Sequence, residues 1–137
     1  MRFVDTNVLL YATSKAPEEA ARAERALEIL DEADCALSVQ VLQEFYVQST
    51  RLSRAERLDH RQAVSLIDSW CRFPVQEMTL AILHAALGCK ERYQIGYGDA
   101  VIVEAARAAG CREVLSEDLQ DGQDYGGVRV VSPFRGM

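Results

Sequence analysis

The sequence predicts an α/β fold of three layers, in which a short, mostly parallel sheet is flanked by helices. Short runs of strand-forming residues alternate along the chain with longer stretches of helical periodicity. This order is typical of parallel strands joined by crossover helices. No internal repeat or linker divides the 137 residues, so we expect one domain over residues 1–137.

Five short runs are predicted as strands. Pro74 suggests that the third of them lies at an edge of the sheet or begins there, because proline cannot donate a hydrogen bond to a neighbouring strand. The runs lie at residues 2–5, 35–37, 73–75, 114–116 and 128–131.

Six stretches have helical periodicity, and local signals indicate where they begin. Pro17 suits a first helical turn, Ser38 is a suitable N-cap, and Ser-Arg-Ala-Glu at residues 53–56 has the pattern of a capping box. Trp70 falls on the apolar face of the helix that this box would open, and Gly110 suits the position after the last helix. The helices are predicted at residues 6–13, at 17–33, after Ser38, after Ser53, at 79–93 and at 99–109.

The composition indicates a globular protein, with 49% hydrophobic and 26% charged residues. No segment approaches the roughly 20 apolar residues of a membrane span. The first residues lack the pattern of a signal peptide, so we expect a cytoplasmic protein with no membrane partner. The net charge of −6 argues against a protein that coats nucleic acid through bulk electrostatics, but not against a nuclease.

The cysteines and histidines suggest no catalytic or metal-binding chemistry. The four cysteines are not spaced as metal ligands, and we expect them to be small buried thiols. His60 and His84 fall inside helical patterns and are not paired with a nucleophile. The cysteines are Cys35, Cys71, Cys89 and Cys111.

Asp5 lies between the first predicted strand and the first predicted helix. Ligands of open parallel sheets bind at the edge where the strands end, so Asp5 is a candidate ligand. Asp and Asn side chains also accept hydrogen bonds from free helix N–H groups. Asp5 or Asn7 could therefore be a helix cap instead.

Three further acids are predicted to reach the same edge of the sheet. Each has a simpler interpretation alone: Glu44 as a solvated helix residue, Asp99 as an N-cap, and Asp118 as one acid of a polar loop. None of these explains why the acids converge. The predicted cluster consists of Asp5, Glu44, Asp99 and Asp118.

Carboxylates that are brought together repel each other, and a hard divalent cation relieves the repulsion. Ligands that are all oxygen favour magnesium or manganese over zinc or copper. Such an ion can hold a phosphodiester, lower the pKa of a water molecule and stabilise the leaving oxygen. The cluster therefore predicts metal-assisted phosphodiester hydrolysis, with Thr6, Asn7 and Ser116 as supporting polar groups.

Four motifs, in this order, resemble those of the PIN-domain ribonucleases, especially the VapC-type toxins of bacterial toxin–antitoxin pairs. They are Val-Asp-Thr-Asn at residues 4–7, a helix glutamate at 44, Gly-Asp-Ala at 98–100, and Ser-Glu-Asp-Leu-Gln-Asp-Gly at 116–122. The resemblance spans nearly the whole chain. It implies a PIN-like domain whose four acids hold Mg²⁺ or Mn²⁺.

The resemblance also implies partners, and it leaves the last ligand open. It implies an endoribonuclease that cuts single-stranded or loop RNA, forms a homodimer and is inhibited by a small antitoxin bound near the acids. Glu117 could share or replace the role of Asp118, and Asp121 and Asp124 lie in the same loop.

Four arginines are spaced three, three and four residues apart across the predicted start of one helix. Such a stripe suits RNA phosphates, although a solvated face paired with neighbouring acids explains it equally well. The arginines are Arg51, Arg54, Arg57 and Arg61.

Two other functions are compatible with the sequence. One is a non-enzymatic binding or regulatory module that has kept the fold. The other is an aspartyl-phosphate phosphotransferase or receiver domain with Asp5 as the phosphate acceptor. That chemistry is expected to use a lysine after a late strand, and neither Lys15 nor Lys90 follows a predicted strand.

Overall fold

The computed structural model describes all 137 residues and contains five strands in one parallel sheet. The strands are β1 (Arg2–Val4), β2 (Cys35–Ser38), β3 (Val75–Gln76), β4 (Glu113–Leu115) and β5 (Arg129–Val131). Their order across the sheet is β3, β2, β1, β4, β5, and every neighbouring pair is parallel. The edge position predicted for the third strand is confirmed.

Six α-helices connect and cover the strands. They are α1 (Thr6–Ala12), α2 (Ala20–Asp31), α3 (Val39–Ser49), α4 (His60–Trp70), α5 (Leu80–Tyr93) and α6 (Tyr97–Ala108). Helix α6 contacts β2, β3 and β4 and packs on α5, whereas α1 packs on α2 and α3. The predicted α/β fold is confirmed, and no helix is long and apolar enough to cross a membrane.

The hydrophobic core lies around the central strands and the helices that cover them. Phe3 of β1, Leu37 of β2 and Phe45 of α3 have no exposed surface. Trp70 packs edge-on against Phe45, with 4.8 Å between the ring centroids, so its predicted place in the core is confirmed.

The capping box predicted at residues 53–56 is wrong. The chain makes turns after α3, where the Leu58 N–H donates to the Ser49 carbonyl, and the next helix begins only at His60. The box is formed by Asp59 and Gln62, each of whose side chains accepts a hydrogen bond from the other's backbone N–H. Asp59 is the N-cap residue because contacts with the end of α3 fix the turns that precede it. The local sequence pattern gives no sign of these contacts.

Smaller corrections concern helix starts and one cysteine. Pro17 opens a single 3-10 turn, and α2 follows at Ala20. Three cysteines are buried as expected, but Cys71 is exposed because it is the C-cap residue of α4. Gly110 follows α6 with φ of 80°, as expected for a glycine after a helix end.

Candidate active site

Asp5 is both a helix cap and a member of an acidic cluster. It is the N-cap residue of α1, and its Oδ1 accepts a 2.7 Å hydrogen bond from the Thr6 backbone N–H. Its Oδ2 accepts a 2.7 Å hydrogen bond from the Ser116 hydroxyl, which follows β4. Asn7 does not cap the helix. The two interpretations offered by the sequence are therefore compatible for Asp5.

All four predicted acids line one cavity of about 130 Å³, which we call the acid cavity. They reach it from four different segments, as the sequence predicted. The other lining residues are Thr6, Asn7, Leu10, Gln48, Gly98 and Ile102.

Glu44 projects from the middle of α3 and is half-buried. It accepts a 2.9 Å hydrogen bond from the Thr6 hydroxyl and a 3.2 Å bond from the Gln40 amide. Its interpretation as a merely solvated residue is therefore wrong. Gln48, one helical turn further on, also lines the acid cavity and was missed. The four-residue spacing on one helix was the signal that could have identified it.

Asp99 lies in the first turn of α6, whose N-cap residue is Gly96. No side chain caps this helix, so the interpretation of Asp99 as a cap is wrong. A carboxylate in the first turn is favoured by the helix dipole. Burial, followed by the charges of Asp118 and Glu44, raises the pKa of Asp99 above its ordinary value.

Asp118 is the acid of the 117–124 loop that reaches the acid cavity. The Asn7 amide donates a 3.1 Å hydrogen bond to its carboxylate. Asp121 pairs with Arg135, and Asp124 accepts from the Gly127 backbone N–H. Neither of these two acids, nor Glu117, lines the acid cavity.

The electrostatics of Asp5 reflect its burial. Burial raises the pKa of Asp5 to about 6, although hydrogen bonds from Ser116 and Thr6 oppose the shift. The charges of Asp118 and Glu44 raise the pKa further. The fold therefore holds the carboxylates together near neutral pH, although their charges repel each other.

The donor set of the acid cavity fits a hard divalent cation, because it consists of carboxylate, hydroxyl and amide oxygens. No three acidic, histidine or cysteine side chains converge closely enough to hold one ion in the arrangement observed. The carboxylates of Asp5, Glu44 and Asp118 accept hydrogen bonds from neighbouring groups. A cation would compete with these donors and relieve the repulsion that raises the pKa of Asp5 and Asp99.

The four arginines do not form a stripe on one helix, because only Arg61 lies on α4. Arg54 lines a cavity of about 250 Å³, the adjoining cavity, which shares Asn7, Leu10, Gln48 and Asp118 with the acid cavity. Arg61 lines a separate groove with Lys15. Arg51 and Arg57 line none of these three.

No lysine lines the acid cavity. Lys15 lies in the separate groove with Arg61, and Lys90 lies on α5. The arrangement therefore gives no support to aspartyl-phosphate chemistry at Asp5.

The chain matches a known family. The model of the PIN domain family matches residues 2–120, and the chain belongs to that family. No curated protein sequence matches the chain.

Several solved structures share the fold. A toxin–antitoxin complex from Klebsiella pneumoniae is 18% identical, with a TM-score of 0.70 and 98% of each chain covered. A sarcin-ricin-loop-cleaving VapC toxin from Mycobacterium tuberculosis is 20% identical, with a TM-score of 0.64, covering 83% of this chain and 87% of that one. A VapBC pair from Rickettsia felis, bound to a DNA fragment from its promoter, is 18% identical, with a TM-score of 0.62, covering 94% of this chain and 96% of that one.

Proposed function

We propose that this protein is a metal-dependent endoribonuclease that hydrolyses RNA phosphodiester bonds as the toxin of a toxin–antitoxin pair. One observation carries the proposal: four carboxylates from separate segments line one cavity at the carboxyl edge of a parallel sheet. Membership of the PIN domain family supports nuclease chemistry at this edge.

The proposed ligands of the cation, Mg²⁺ or Mn²⁺, are Asp5, Glu44, Asp99 and Asp118. When bound, such a cation supplies positive charge that polarises the phosphodiester and lowers the pKa of a nearby water molecule. The four acids would act as the catalytic residues by holding the cation at the edge of the sheet, where it would supply this chemistry.

The polar neighbours of the acids orient them. The Thr6 hydroxyl donates to Glu44, the Ser116 hydroxyl to Asp5, and the Asn7 amide to Asp118. Each bond restricts the carboxylate to a narrow range of rotamers. Groups of this kind typically change metal affinity or activity about 10- to 100-fold when they are removed.

We propose RNA as the substrate and a small antitoxin as the inhibitor. The proposal draws on the resemblance to VapC-type toxins and on two solved structures of the same fold, one a toxin–antitoxin complex and one a sarcin-ricin-loop-cleaving toxin. A homodimer that acts in the cytoplasm belongs to the same proposal. A short reading frame next to this one would encode the antitoxin, and its product should bind the purified chain.

The decisive experiment measures cleavage of single-stranded RNA by the purified chain, freed of any small protein that co-purifies. We expect cleavage with Mg²⁺ or Mn²⁺ and none with chelator. Asp99→Asn should reduce the rate by more than about 100-fold, since loss of a direct ligand should exceed loss of an orienting group. Asp68→Asn, on the exposed surface of α4, is the matched control.

Cleavage that persists in chelator, or in the Asp99→Asn variant, would contradict the proposal. If the wild-type chain neither binds Mn²⁺ in calorimetry nor cleaves RNA, a non-enzymatic binding module becomes the better description.

A further inference from the structure

Asp118 lies on the least constrained of the four segments that reach the acid cavity. Asp5 lies at a junction of strand and helix, and Glu44 and Asp99 lie within helices. Asp118 lies in the loop between β4 and β5, which has no regular secondary structure around it. Its position therefore depends on its own bonds to Asn7 and Ser116 and on the contacts of the neighbouring loop residues.

Repulsion within the acid cavity acts on this loop, because Asp118 is one of the four acids that line the cavity. The four acids line one cavity, so their like charges lie close enough to repel each other. Glu44 and Asp99 are held within helices, whereas no helix or strand includes Asp118. The Asn7 amide and the Ser116 hydroxyl hold Asp118 beside the other acids, and contacts of the preceding residue add to this support.

Glu117, the residue before Asp118, connects the loop to helices α1 and α2. Its carboxylate accepts a hydrogen bond from the Tyr11 hydroxyl of α1 and lies 3.7 Å from the Nε of Arg22 on α2. Its backbone N–H donates to the Asn7 side chain at 3.3 Å. Glu117 lines the adjoining cavity but not the acid cavity.

The two partners of Glu117 are themselves fixed. The Arg22 guanidinium lies over the Tyr11 ring, 5.8 Å from its centroid, and also donates to the Met137 carbonyl at 2.6 Å. The Phe134 ring packs edge-on against Tyr11, with 4.8 Å between centroids. The Nε of Arg22 is buried and has no hydrogen-bond partner, so the Glu117 carboxylate is the charge that compensates it.

The Tyr11 hydroxyl is suited to act as a permanent donor. Burial, together with Glu117, raises the pKa of Tyr11 to about 12. The hydroxyl therefore keeps its proton over the whole physiological pH range and remains a donor to Glu117.

We propose that Glu117 is a positioning residue, held by Tyr11 and Arg22, that keeps Asp118 at the acid cavity. The sequence left open whether Glu117 shares the ligand role of Asp118, and this inference assigns it a different role. The inference rests on the proposed function, because it takes Asp118 to be a cation ligand.

The test compares Glu117→Ala, Glu117→Gln and Tyr11→Phe with the wild-type chain. The matched control is Tyr46→Phe, which removes a hydroxyl hydrogen-bonded to His60, away from this loop. Mn²⁺ affinity is measured by calorimetry, well below the unfolding temperature. Hydrogen exchange of the amides of residues 117–119 is measured on the metal-free protein.

We expect Glu117→Ala to weaken Mn²⁺ binding about 10-fold, as for the loss of an orienting group. Exchange of the loop amides should become faster in the same variant. Glu117→Gln retains an oxygen that accepts from Tyr11 but loses the charge that faces Arg22, so its affinity should lie between those of the wild type and Glu117→Ala. Tyr11→Phe should change the Mn²⁺ affinity and the amide exchange in the same direction as Glu117→Ala, but by less. Tyr46→Phe should match the wild type.

Equal and complete loss of Mn²⁺ binding in Glu117→Ala and Glu117→Gln would identify a ligand and overturn the inference. Unchanged affinity and exchange in Glu117→Ala would overturn it as well. A wild-type chain that binds no Mn²⁺ would refute the proposed function separately, while the exchange measurement would still decide whether Glu117 fixes the loop.

Discussion

The Ser116 hydroxyl donates a 2.7 Å hydrogen bond to the Asp5 carboxylate and so joins the ends of the neighbouring strands β4 and β1. The same oxygen accepts hydrogen bonds from the Asn7 amide at 3.2 Å and from the Asp118 backbone N–H at 3.1 Å. Ser116 has no exposed surface. One buried hydroxyl therefore connects three of the polar residues around the acid cavity.

Replacing Ser116 with alanine should destabilise the protein and raise the pKa of Asp5 further. The variant removes the hydroxyl from a buried carboxylate and from three N–H donors, those of the Asn7 amide and the Asp118 and Leu119 backbone. Each unsatisfied buried group costs about 1–3 kcal/mol. The free energy of unfolding in denaturant and an NMR titration of the Asp5 carboxyl measure the two effects. Ser69→Ala is the control, because the exposed Ser69 hydroxyl donates only to a carbonyl of its own helix. Equal stability of the two variants would contradict the prediction.

The raised pKa of Asp5 should make the metal-free protein less stable as pH rises. A carboxyl whose folded-state pKa is about 6, against an ordinary value of 3.8, binds its proton more tightly in the folded state. Its favourable contribution is complete below the ordinary pKa and is lost as pH rises through about 6. Asp5→Asn removes this loss, so the stability of the variant relative to the wild type should increase by about 2 kcal/mol from pH 4 to pH 7.

Denaturant unfolding at several pH values, with chelator present, measures this difference. The stability of Asp121→Asn relative to the wild type should instead decrease as pH rises, because the Ser132 N–H and Arg135 lower the pKa of Asp121. Adding Mn²⁺ should stabilise the wild type but not Asp5→Asn. A stability difference between Asp5→Asn and the wild type that does not change with pH would contradict a raised pKa of Asp5.

The acids of the site could be predicted because their positions follow from short-range rules. Asp5 and Asp118 follow strands, and Asp99 lies in the first turn of a helix that returns to the sheet. Parallel topology then brings these positions to one edge. Glu44 was recognisable as the single acid in an otherwise apolar stretch of its helix. The sequence pattern and the sheet topology together are sufficient for this part of the site.

What the sequence did not reveal depends on contacts between distant segments. The bond from Tyr11 to Glu117 joins residues that are 106 positions apart, and no local pattern encodes it. The turns after α3 are held by the Ser49 carbonyl, so the serine at position 53 never caps a helix. The arginine stripe failed for the same reason, since its spacing assumed a helix that those turns replace.

The two candidate caps of α4 can be separated by mutation. Asp59→Ala should lower the free energy of unfolding by about 1 kcal/mol, because it removes the side chain that accepts from the Gln62 N–H. Ser53→Ala should have no measurable effect, because Ser53 is exposed and lies outside the helix. Denaturant unfolding of both variants provides the comparison. A larger effect at Ser53 would place the start of α4 earlier in the chain.

Arg54 should contribute to RNA binding more than Arg57, although both lie in the segment between α3 and α4. Arg54 is half-buried at the adjoining cavity, beside Asp118, and has no carboxylate within ion-pair distance, so its charge is free to hold a phosphate. Arg57 is exposed and lines neither this cavity nor the acid cavity.

Binding of single-stranded RNA to the Asp99→Asn variant, which prevents cleavage, is measured over a series of salt concentrations. Arg54→Ala should reduce the slope of log affinity against log salt by about 0.7, the value for one phosphate contact on a single strand. Arg57→Ala should leave the slope nearly unchanged. Equal changes in the two variants would mean that net charge, not the position of Arg54, determines binding, and no change in either would exclude the adjoining cavity from the RNA path.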